Sequence, residues 1–250
     1  KRGKPVFYFD NLDREEFYTN PSKTQKEINA LSAKYKLCFV KDLPLELKLP
    51  DNIVPIAPVP VSEKLLKVIE DEIDSKREHT LMKTTANFGF FGRRRPGICR
   101  DERQAMLDGA IEVGGVSGIF ESDGYATLRE IYETMISSKY LLSPSGRVWC
   151  SYRHTELAAL RRPILMNQPN CYTFEHFKYP EELLLPSLNN GSLISHEAYQ
   201  QTVNEKLKYV LTNVNFVSRF ADSWLAQVKK FHTRNARAQF YAGLMNRYML

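Results

Sequence analysis

The sequence predicts an α/β protein made of two unequal halves. Short apolar runs typical of strands alternate along the chain with amphipathic stretches of helical spacing, which is the pattern of sheets covered by helices. The 250 residues are enough to bury a sizeable core, as one large domain or two smaller ones. A new unit begins after Thr80, so we place the first domain at residues 1–86 and the second at 87–250.

The first half is predicted to contain three strands and two helices. Its apolar runs are short, which suits strands rather than helices. The third run contains prolines, which favour an edge strand or an extended connector. The predicted strands are VFYF (6–9), KLCFV (36–40) and IVPIAPV (53–59), and the predicted helices span 22–34 and 62–79.

The second half continues the alternation and ends in helices. Residues 167–191, rich in Asn and Pro, are predicted to form a loop. The predicted strands are NFGFFG (87–92), GVSGIF (115–120), YLLSP (140–144) and PILM (163–166), and the predicted helices span 100–111, 127–138, 152–161, 196–212 and 214–247.

Charge and composition narrow the partners. The 35 basic and 29 acidic residues give a formal charge of +6, which favours an anionic partner without naming one. The four cysteines are widely spaced and include no CxxC pair, so a structural zinc site is not expected and a reducing compartment is favoured.

The hydropathy pattern predicts a soluble domain. No run approaches the roughly 20 apolar residues that span a bilayer, and we therefore expect a cytoplasmic location. The chain begins with Lys1 rather than Met, so we expect a domain excised from a longer protein, with neighbouring domains and a removed signal or anchor left open.

A glycine-containing loop joins a predicted strand to a predicted helix within SKYLLSPSGRVWCSYRHTELAALRRPILM (138–166). In an open α/β sheet the ligand crevice lies beyond the carboxyl ends of the strands, and a helix start there presents N–H groups to an anion. Gly146 lets the backbone approach a phosphate, and Arg147 and Arg153 add charged donors. Glu156, on the same helix face as Arg153, suits the hydroxyls of a ribose.

These residues resemble the donor-site signature of GT-B glycosyltransferases of the exostosin-like kind. That signature reads S-K-hydrophobic-L-x-P-x-G, then S-x-R-x-x-E-A-L, then G-x-I-P, and Arg161 and Arg162 stand where the family has a glycine. NFGFFGRRRPGICRDERQAML (87–107) is similar to the strand-turn-arginine segment that opens the donor domain of such enzymes. The resemblance implies a GT-B-like fold, with two Rossmann-like halves, a cleft between them and a C-terminal helix that crosses back.

The resemblance also implies an activity. It is the transfer of a sugar from a nucleoside-diphosphate donor to a hydroxyl of a glycan or glycoconjugate acceptor, with no cofactor and no metal, because cationic residues stabilise the leaving diphosphate. A similarity to sugar-transfer domains of large algal viruses implies a uridine donor such as UDP-rhamnose or UDP-xylose. The residues expected to bind the donor are Gly92, Arg93, Ser143, Ser145, Gly146, Arg147, Ser151, Arg153 and Glu156.

An inverting transfer also needs a base for the proton of the acceptor hydroxyl. The loop after the first predicted strand offers Asp10 and Asp13, and we favour Asp10 because Asp13 is suited to capping the following turn. Glu121 and Asp123 are reserve candidates, and Arg153 completes the predicted catalytic set. A retaining reaction would need no such base, and the sequence leaves both outcomes open.

Other interpretations of the same residues stay open at this stage. FFGRRRPGICR (90–100) mixes aromatic and basic residues as nucleic-acid-binding modules do, although the charge excess is modest. A catalytically inactive glycosyltransferase-like scaffold is a further alternative. Arg153 and Glu156 are equally suited to a surface ion pair, and Trp149 and Tyr152 either pack in the core or stack on a uracil or sugar.

Overall fold

The computed structural model describes residues 5–10, 12–74, 86–92, 100–119, 128–188 and 195–249. The predicted α/β fold is confirmed, because a three-stranded and a five-stranded sheet, both parallel, carry helices around them. The second sheet begins at Ala86, one residue before the predicted start of the second domain.

The first sheet consists of three consecutive strands in the order β1-β2-β3; two helices connect β1 to β2, a loop connects β2 to β3, and a third helix follows β3. Asn20 caps one of these helices, since its side chain accepts a hydrogen bond from Lys23 N at 3.0 Å and a proline follows at the first helical position. The strands are β1 (Phe7–Asp10), β2 (Leu37–Val40) and β3 (Ile53–Pro55), and the helices are α1 (Glu16–Thr19), α2 (Pro21–Lys34) and α3 (Glu63–Asp74).

The second sheet has the order β5-β4-β6-β7-β8, with every strand parallel to its neighbour. Its last strand lies inside the stretch that was predicted to be a loop. The strands are β4 (Ala86–Gly92), β5 (Val116–Ile119), β6 (Ser138–Ser143), β7 (Ile164–Asn167) and β8 (Leu184–Leu185), and the helices are α4 (Arg100–Gly114), α5 (Leu128–Ile136), α6 (Arg153–Glu156) and α7 (His196–Thr212).

The strand order of the second sheet fixes where a ligand crevice forms. The chain passes from β4 to β5 on one side and then to β6 on the other side of β4. The connections that leave the carboxyl ends of β4 and β6 therefore run in opposite directions. The space between them is where an open α/β sheet usually forms its ligand-binding crevice.

The helix predicted at 152–161 is shorter and mixed. Its α-helical part, α6, is followed by a 3₁₀ turn at Leu157–Leu160. The turn ends at Arg161, whose φ of 48° is left-handed. A left-handed backbone favours glycine, which gives a structural reason for the glycine of the signature at the place where this sequence has arginine.

The single helix predicted at 214–247 is two helices in the structure. They are α8 (Val214–Gln227) and α9 (Arg234–Met249), with a π-helical segment at Val228–His232 and the extended residue Thr233 between them. The Thr233 hydroxyl accepts from Ala236 N at 3.2 Å, which caps α9, and Thr233 also bridges to Val61 of the first half.

The break sends α9 back across the first sheet, as expected for a C-terminal helix that crosses over. One side of that sheet, with Leu37, Phe39 and Ile56, packs against the helix. The helix contributes Tyr241, Leu244, Met245 and Tyr248 to this contact. No helix within the described ranges is long and apolar enough to cross a lipid bilayer.

Candidate active site

A cleft of about 340 Å³ lies where segments that follow strands of both sheets come together. Asp13, Lys41 and Val59 follow β1, β2 and β3 of the first sheet, and Phe91 and Gly92 end β4 of the second. The cleft thus sits at the crevice that the strand order predicts. Its remaining lining residues are Arg103 of α4 and, from the segment after β6, Gly146, Arg147, Cys150, Ser151, Tyr152 and Arg153.

The charge of the cleft is predominantly positive. Among the described residues that line it, four are cationic (Lys41, Arg103, Arg147 and Arg153) and Asp13 is the one carboxylate. Arg147 is the most accessible cation, with 72% of its side chain exposed and an ion pair from Nε to Glu15 Oε1 at 2.9 Å. The arrangement suits a ligand that carries two or more negative charges.

Arg153 is held in place by a buried hydrogen-bonded chain. Its Nη1 donates to Glu156 Oε2 at 2.7 Å, and Glu156 Oε1 accepts from the Tyr132 hydroxyl at 2.8 Å. Burial and the adjacent carboxylate raise the pKa of Tyr132, so its hydroxyl remains a donor. The guanidinium also lies over the rings of Tyr152, at 4.8 Å, and Phe91, at 5.6 Å.

The burial of Arg153 and Glu156 decides whether they form a surface ion pair, which the sequence left open. The pair is not a surface ion pair, because the side chains are only 16% and 4% exposed. Glu156 is also not among the residues that line the cleft. In this structure it orients Arg153 from behind, and contact with a ribose remains a prediction.

The two serines of the strand end point away from the cleft. Ser143 Oγ lies 2.9 Å from Nδ1 of His154, whose Nε2 lies 2.9 Å from the Trp149 carbonyl. Because a carbonyl only accepts, Nε2 carries the proton and Nδ1 accepts from Ser143. Burial lowers the pKa of His154 to about 4, which keeps this ring neutral.

Ser145 is equally buried. Its hydroxyl lies 3.3 Å from Glu102 Oε2 and 3.2 Å from Asn167 Oδ1, to which its amide also donates at 3.0 Å. Ser143 and Ser145 were expected to contact a phosphate. In the structure both hydroxyls are buried and form hydrogen bonds within the protein, so they do not face the cleft.

The loop backbone also differs from the expected phosphate turn. The amides of Ser145 and Gly146 donate to Asn167 Oδ1 and to the Val148 carbonyl, and α6 is only four residues long. Gly146 does face open space, since the nearest atom to an added Cβ would be the Val148 oxygen at 3.7 Å. A diphosphate in this cleft would therefore be held mainly by side-chain cations rather than by these two amides.

The two predicted base candidates have different surroundings. Asp10 is buried and lies outside the cleft lining, and its Oδ2 accepts from Arg14 at 2.7 and 3.0 Å while its Oδ1 accepts from Leu12 N at 3.1 Å. Asp13 lines the cleft, is 44% exposed and forms an ion pair with Lys41. The geometry therefore reverses the preference for Asp10 over Asp13.

Lys41 is a site residue that sequence reasoning missed. It directly follows β2, is almost fully buried, and places its ammonium between the carboxylates of Asp13 and Asp42. Asp10 and Asp13 were selected because they follow the first predicted strand. Lys41 follows the second predicted strand in the same way, so the sequence did contain a signal for it.

Arg103 and Tyr152 also line the cleft, and Tyr152 is 54% exposed there. Trp149, in contrast, is buried and donates to the Asn167 carbonyl at 2.7 Å.

The structure brings together five of the residues expected to bind the donor: Gly92, Gly146, Arg147, Ser151 and Arg153. Arg93, Glu121 and Asp123 lie outside the described residues. Within the described ranges, no group of three His, Cys, Asp or Glu side chains is close enough to bind a metal ion.

Comparison with known proteins identifies the fold. No model of a known protein family matches the sequence, and no curated protein matches it. Among solved structures, a glycosyltransferase from Rickettsia africae ESF-5 matches with a TM-score of 0.53 at 11% identity, over 92% of this chain and 68% of that chain. The chain therefore shares the fold of a glycosyltransferase, in agreement with the GT-B-like α/β fold that the sequence predicts.

Two further glycosyltransferases are similar at lower scores. The pneumococcal O-GlcNAc transferase GtfA, in complex with UDP and GlcNAc, matches with a TM-score of 0.48 at 13% identity, over 96% of this chain and 45% of GtfA. WaaG, involved in lipopolysaccharide biosynthesis, matches with a TM-score of 0.44 at 12% identity, over 92% of this chain and 71% of WaaG. The chain therefore spans less than half the length of GtfA.

Proposed function

We propose that the chain is a glycosyltransferase that moves a sugar from a nucleoside-diphosphate donor to a hydroxyl of a glycoconjugate acceptor. The observation that supports this most directly is the cleft itself, where Lys41, Arg103, Arg147 and Arg153 converge at the crevice of a glycosyltransferase fold. A uridine diphosphate donor, such as UDP-rhamnose or UDP-xylose, is part of the proposal and rests on the sequence resemblance.

The proposed reaction breaks the bond between the anomeric carbon and the diphosphate oxygen. The anomeric carbon bonds to the acceptor oxygen, the hydroxyl proton passes to a base, and the nucleoside diphosphate leaves with the bond electrons. Negative charge grows on the leaving diphosphate in this step, so cations already fixed in place stabilise the transition state more than the ground state. Arg153 suits this role because Glu156, Tyr152 and Phe91 hold it.

Asp13 is the proposed base of an inverting transfer. Its carboxylate lines the cleft from the first sheet, opposite the arginines of the second. We propose that a bound diphosphate competes for the ammonium of Lys41, which loosens its ion pair with Asp13 and leaves that carboxylate to accept the acceptor proton. In this scheme charge stabilisation comes from side chains, which is the basis for proposing a metal-independent reaction.

The first test measures nucleotide binding. A thermal-unfolding series with uridine, guanosine and thymidine diphosphates is expected to show selective stabilisation by one of them, by about 2.7 kcal/mol at 100 times its dissociation constant. Arg147→Met is expected to weaken that binding about tenfold or more, because a charge-assisted contact is lost. Arg147 is largely exposed, so the substitution spares the fold.

A matched control makes the binding test specific. Arg219 is an exposed arginine outside the cleft lining, and Arg219→Met is expected to bind the same nucleotide as the unmodified chain does. Equal affinities in all three proteins would contradict a diphosphate site in the cleft. Selective binding without hydrolysis or transfer of any sugar nucleotide would instead support the inactive scaffold.

A further inference from the structure

A second pocket, of about 380 Å³, adjoins the proposed donor cleft. It lies between the end of β1, the segment after β3 and the first turns of α9, and Val59 lines both cavities. Its volume is within the range of small-molecule sites. The apolar lining consists of Phe9, Ile56, Val59, Pro60, Ala238 and Tyr241.

One wall of this pocket is a fixed aromatic stack. Phe9 stacks on Phe39 with ring centroids 4.4 Å apart and planes inclined by 17°, and Tyr241 lies 4.7 Å from the same Phe39 ring. Phe39 is fully buried, whereas Phe9 at the carboxyl end of β1 is 51% exposed. An ordered phenyl ring that is half exposed beside a cleft is a preformed contact surface for an apolar group.

The charged residues of the pocket disfavour a cationic ligand. Arg237 is 1% exposed, and its five N–H groups are used by Phe231 O, Ile56 O, Tyr241 Oη, Pro58 O and His232 Nδ1. Arg234, which is exposed, is the other cation of the lining, and no described carboxylate lines the pocket. A cationic group is therefore disfavoured here.

The same lining does not suit a sugar ring. The hydroxyls of a buried sugar need several hydrogen-bonding partners, because an unpaired polar group costs free energy on burial. Most of the lining side chains are apolar, and the donors of Arg237 are already used. The exposed Arg234 and the Tyr241 hydroxyl are the remaining polar groups of the lining, which are few for a ring with several hydroxyls. The ligand group that fits is apolar and either neutral or anionic.

We infer that this pocket binds the apolar aglycone of the acceptor, an alkyl or aryl group linked to the sugar that receives the transfer. This inference rests on the proposed function, and it narrows the acceptor from any glycan to a glycoconjugate with a hydrophobic aglycone. Val59 lines both cavities, so an aglycone in this pocket would lie next to the cleft, and we expect its sugar to extend into that cleft, which Asp13 also lines.

The test compares two acceptor probes that differ only in the aglycone. Octyl β-glucoside, kept below its micelle-forming concentration, is expected to bind at least tenfold tighter than methyl β-glucoside by calorimetry with the full chain. Phe9→Ser is expected to remove that advantage while the affinity for uridine diphosphate stays unchanged. Leu45→Ser, at another half-exposed apolar side chain outside the pocket, is the matched control and is expected to keep it.

The outcomes separate this inference from the proposed function. Equal affinities for the two glucosides, or an octyl advantage that survives Phe9→Ser, would overturn the aglycone pocket whether or not nucleotides bind. Failure of every nucleoside diphosphate to bind would overturn the proposed donor site, and the octyl advantage would still report on the pocket. Binding to anionic phospholipid vesicles that depends on Phe9, without binding of the monomeric glucoside, would contradict the inference in favour of a membrane contact.

Discussion

Asp10 and Asp13 are three residues apart, yet their carboxylates have opposite surroundings. Asp13→Asn is expected to lower kcat by about 100- to 10,000-fold, because a positioned base is lost. It is expected to change stability by only about 1 kcal/mol, because the Asp13 side chain is 44% exposed and the buried Lys41 ammonium also lies beside Asp42. Asp10→Asn is expected to cost about 2–3 kcal/mol of stability, since the nearly buried carboxylate is bound by Arg14. Steady-state kinetics and urea unfolding of both variants measure the contrast.

The pair of variants provides its own control. If Asp13→Asn keeps the full kcat, Asp13 is not the base, and a retaining reaction or a base outside the described residues becomes the better interpretation. A loss of kcat in Asp10→Asn that exceeds the loss in Asp13→Asn would restore the original sequence-based preference.

Residue by residue, the sequence predicts which loop forms the site better than which side chains face it. Arg153 and Gly146 were placed by their position after a strand, and both line the cleft. Ser143 and Ser145 come from the same stretch but point into the core, because the hydrogen bonds that orient them come from His154 and from residues distant in sequence. Local spacing contains no information on those long-range partners.

At the level of elements, α9 depends on one buried arginine. The guanidinium of Arg237 binds carbonyls of the first half, among them Ile56 O and Pro58 O, and lies 3.7 Å from the centre of the Phe174 ring. Arg237→Met is expected to destabilise the protein by about 3 kcal/mol or more, because buried acceptors lose their donors. The measurement is urea unfolding followed by far-ultraviolet circular dichroism.

The matched control for this helix is Arg247→Met, because Arg247 is an exposed arginine near the other end of α9. We expect its stability to stay within about 0.5 kcal/mol of the unmodified chain. Equal stabilities for the two variants would show that the contacts of Arg237 do not hold α9 on the first sheet.

The elements that the sequence predicts well are those with local causes. α7 matches the predicted range of 196–212, and its first turn is capped by Ser195, whose side chain accepts from Ala198 N. The break before α9 was not predicted, because no glycine or proline marks it and Thr233 is held by its bridge to Val61, far away in sequence. β8 was missed because two residues cannot show a strand pattern.

Across the whole molecule, buried contacts join the two halves behind the cleft. Asp42, in a left-handed conformation with φ of 56°, accepts from Cys150 N at 3.2 Å, and Thr155 Oγ1 donates to the Val59 carbonyl at 2.7 Å. Strained backbone of this kind persists only where surrounding contacts fix it, and it is common near functional sites. Asp42 and Lys41 thus link Asp13 of the first half to the segment after β6 in the second half, which contains Cys150 and the arginines of the cleft.

This junction predicts a specific pH dependence of stability. Burial raises the pKa of Asp42 to about 7, above its ordinary value near 4, although Lys41 opposes the change. The folded state therefore favours the protonated carboxyl, so the stabilisation is complete below about pH 4 and is lost as the pH rises through 7. Asp42→Asn removes this titration and keeps an acceptor for Cys150 N, and asparagine also tolerates the left-handed backbone.

The expected result is a change in slope rather than a uniform loss. Between pH 5 and pH 8 the unfolding free energy of the unmodified chain should fall relative to that of Asp42→Asn by about 2–3 kcal/mol, at about 1.4 kcal/mol for each pH unit in which only the folded state holds the proton. Buried His154 and His232, with pKa values lowered to about 4 and 3, act in the opposite direction. Their effect is common to both proteins and cancels in the difference.

Urea unfolding at pH 5, 6.5 and 8 measures this difference, and Asp51→Asn, at an exposed carboxylate, is the control that should follow the unmodified chain. Parallel profiles for Asp42→Asn and the unmodified chain would show that Asp42 is already ionised at pH 5 in the folded state. In that case Lys41 would face two ionised carboxylates at pH 5, and a bound diphosphate would have to compete with both of them for its ammonium.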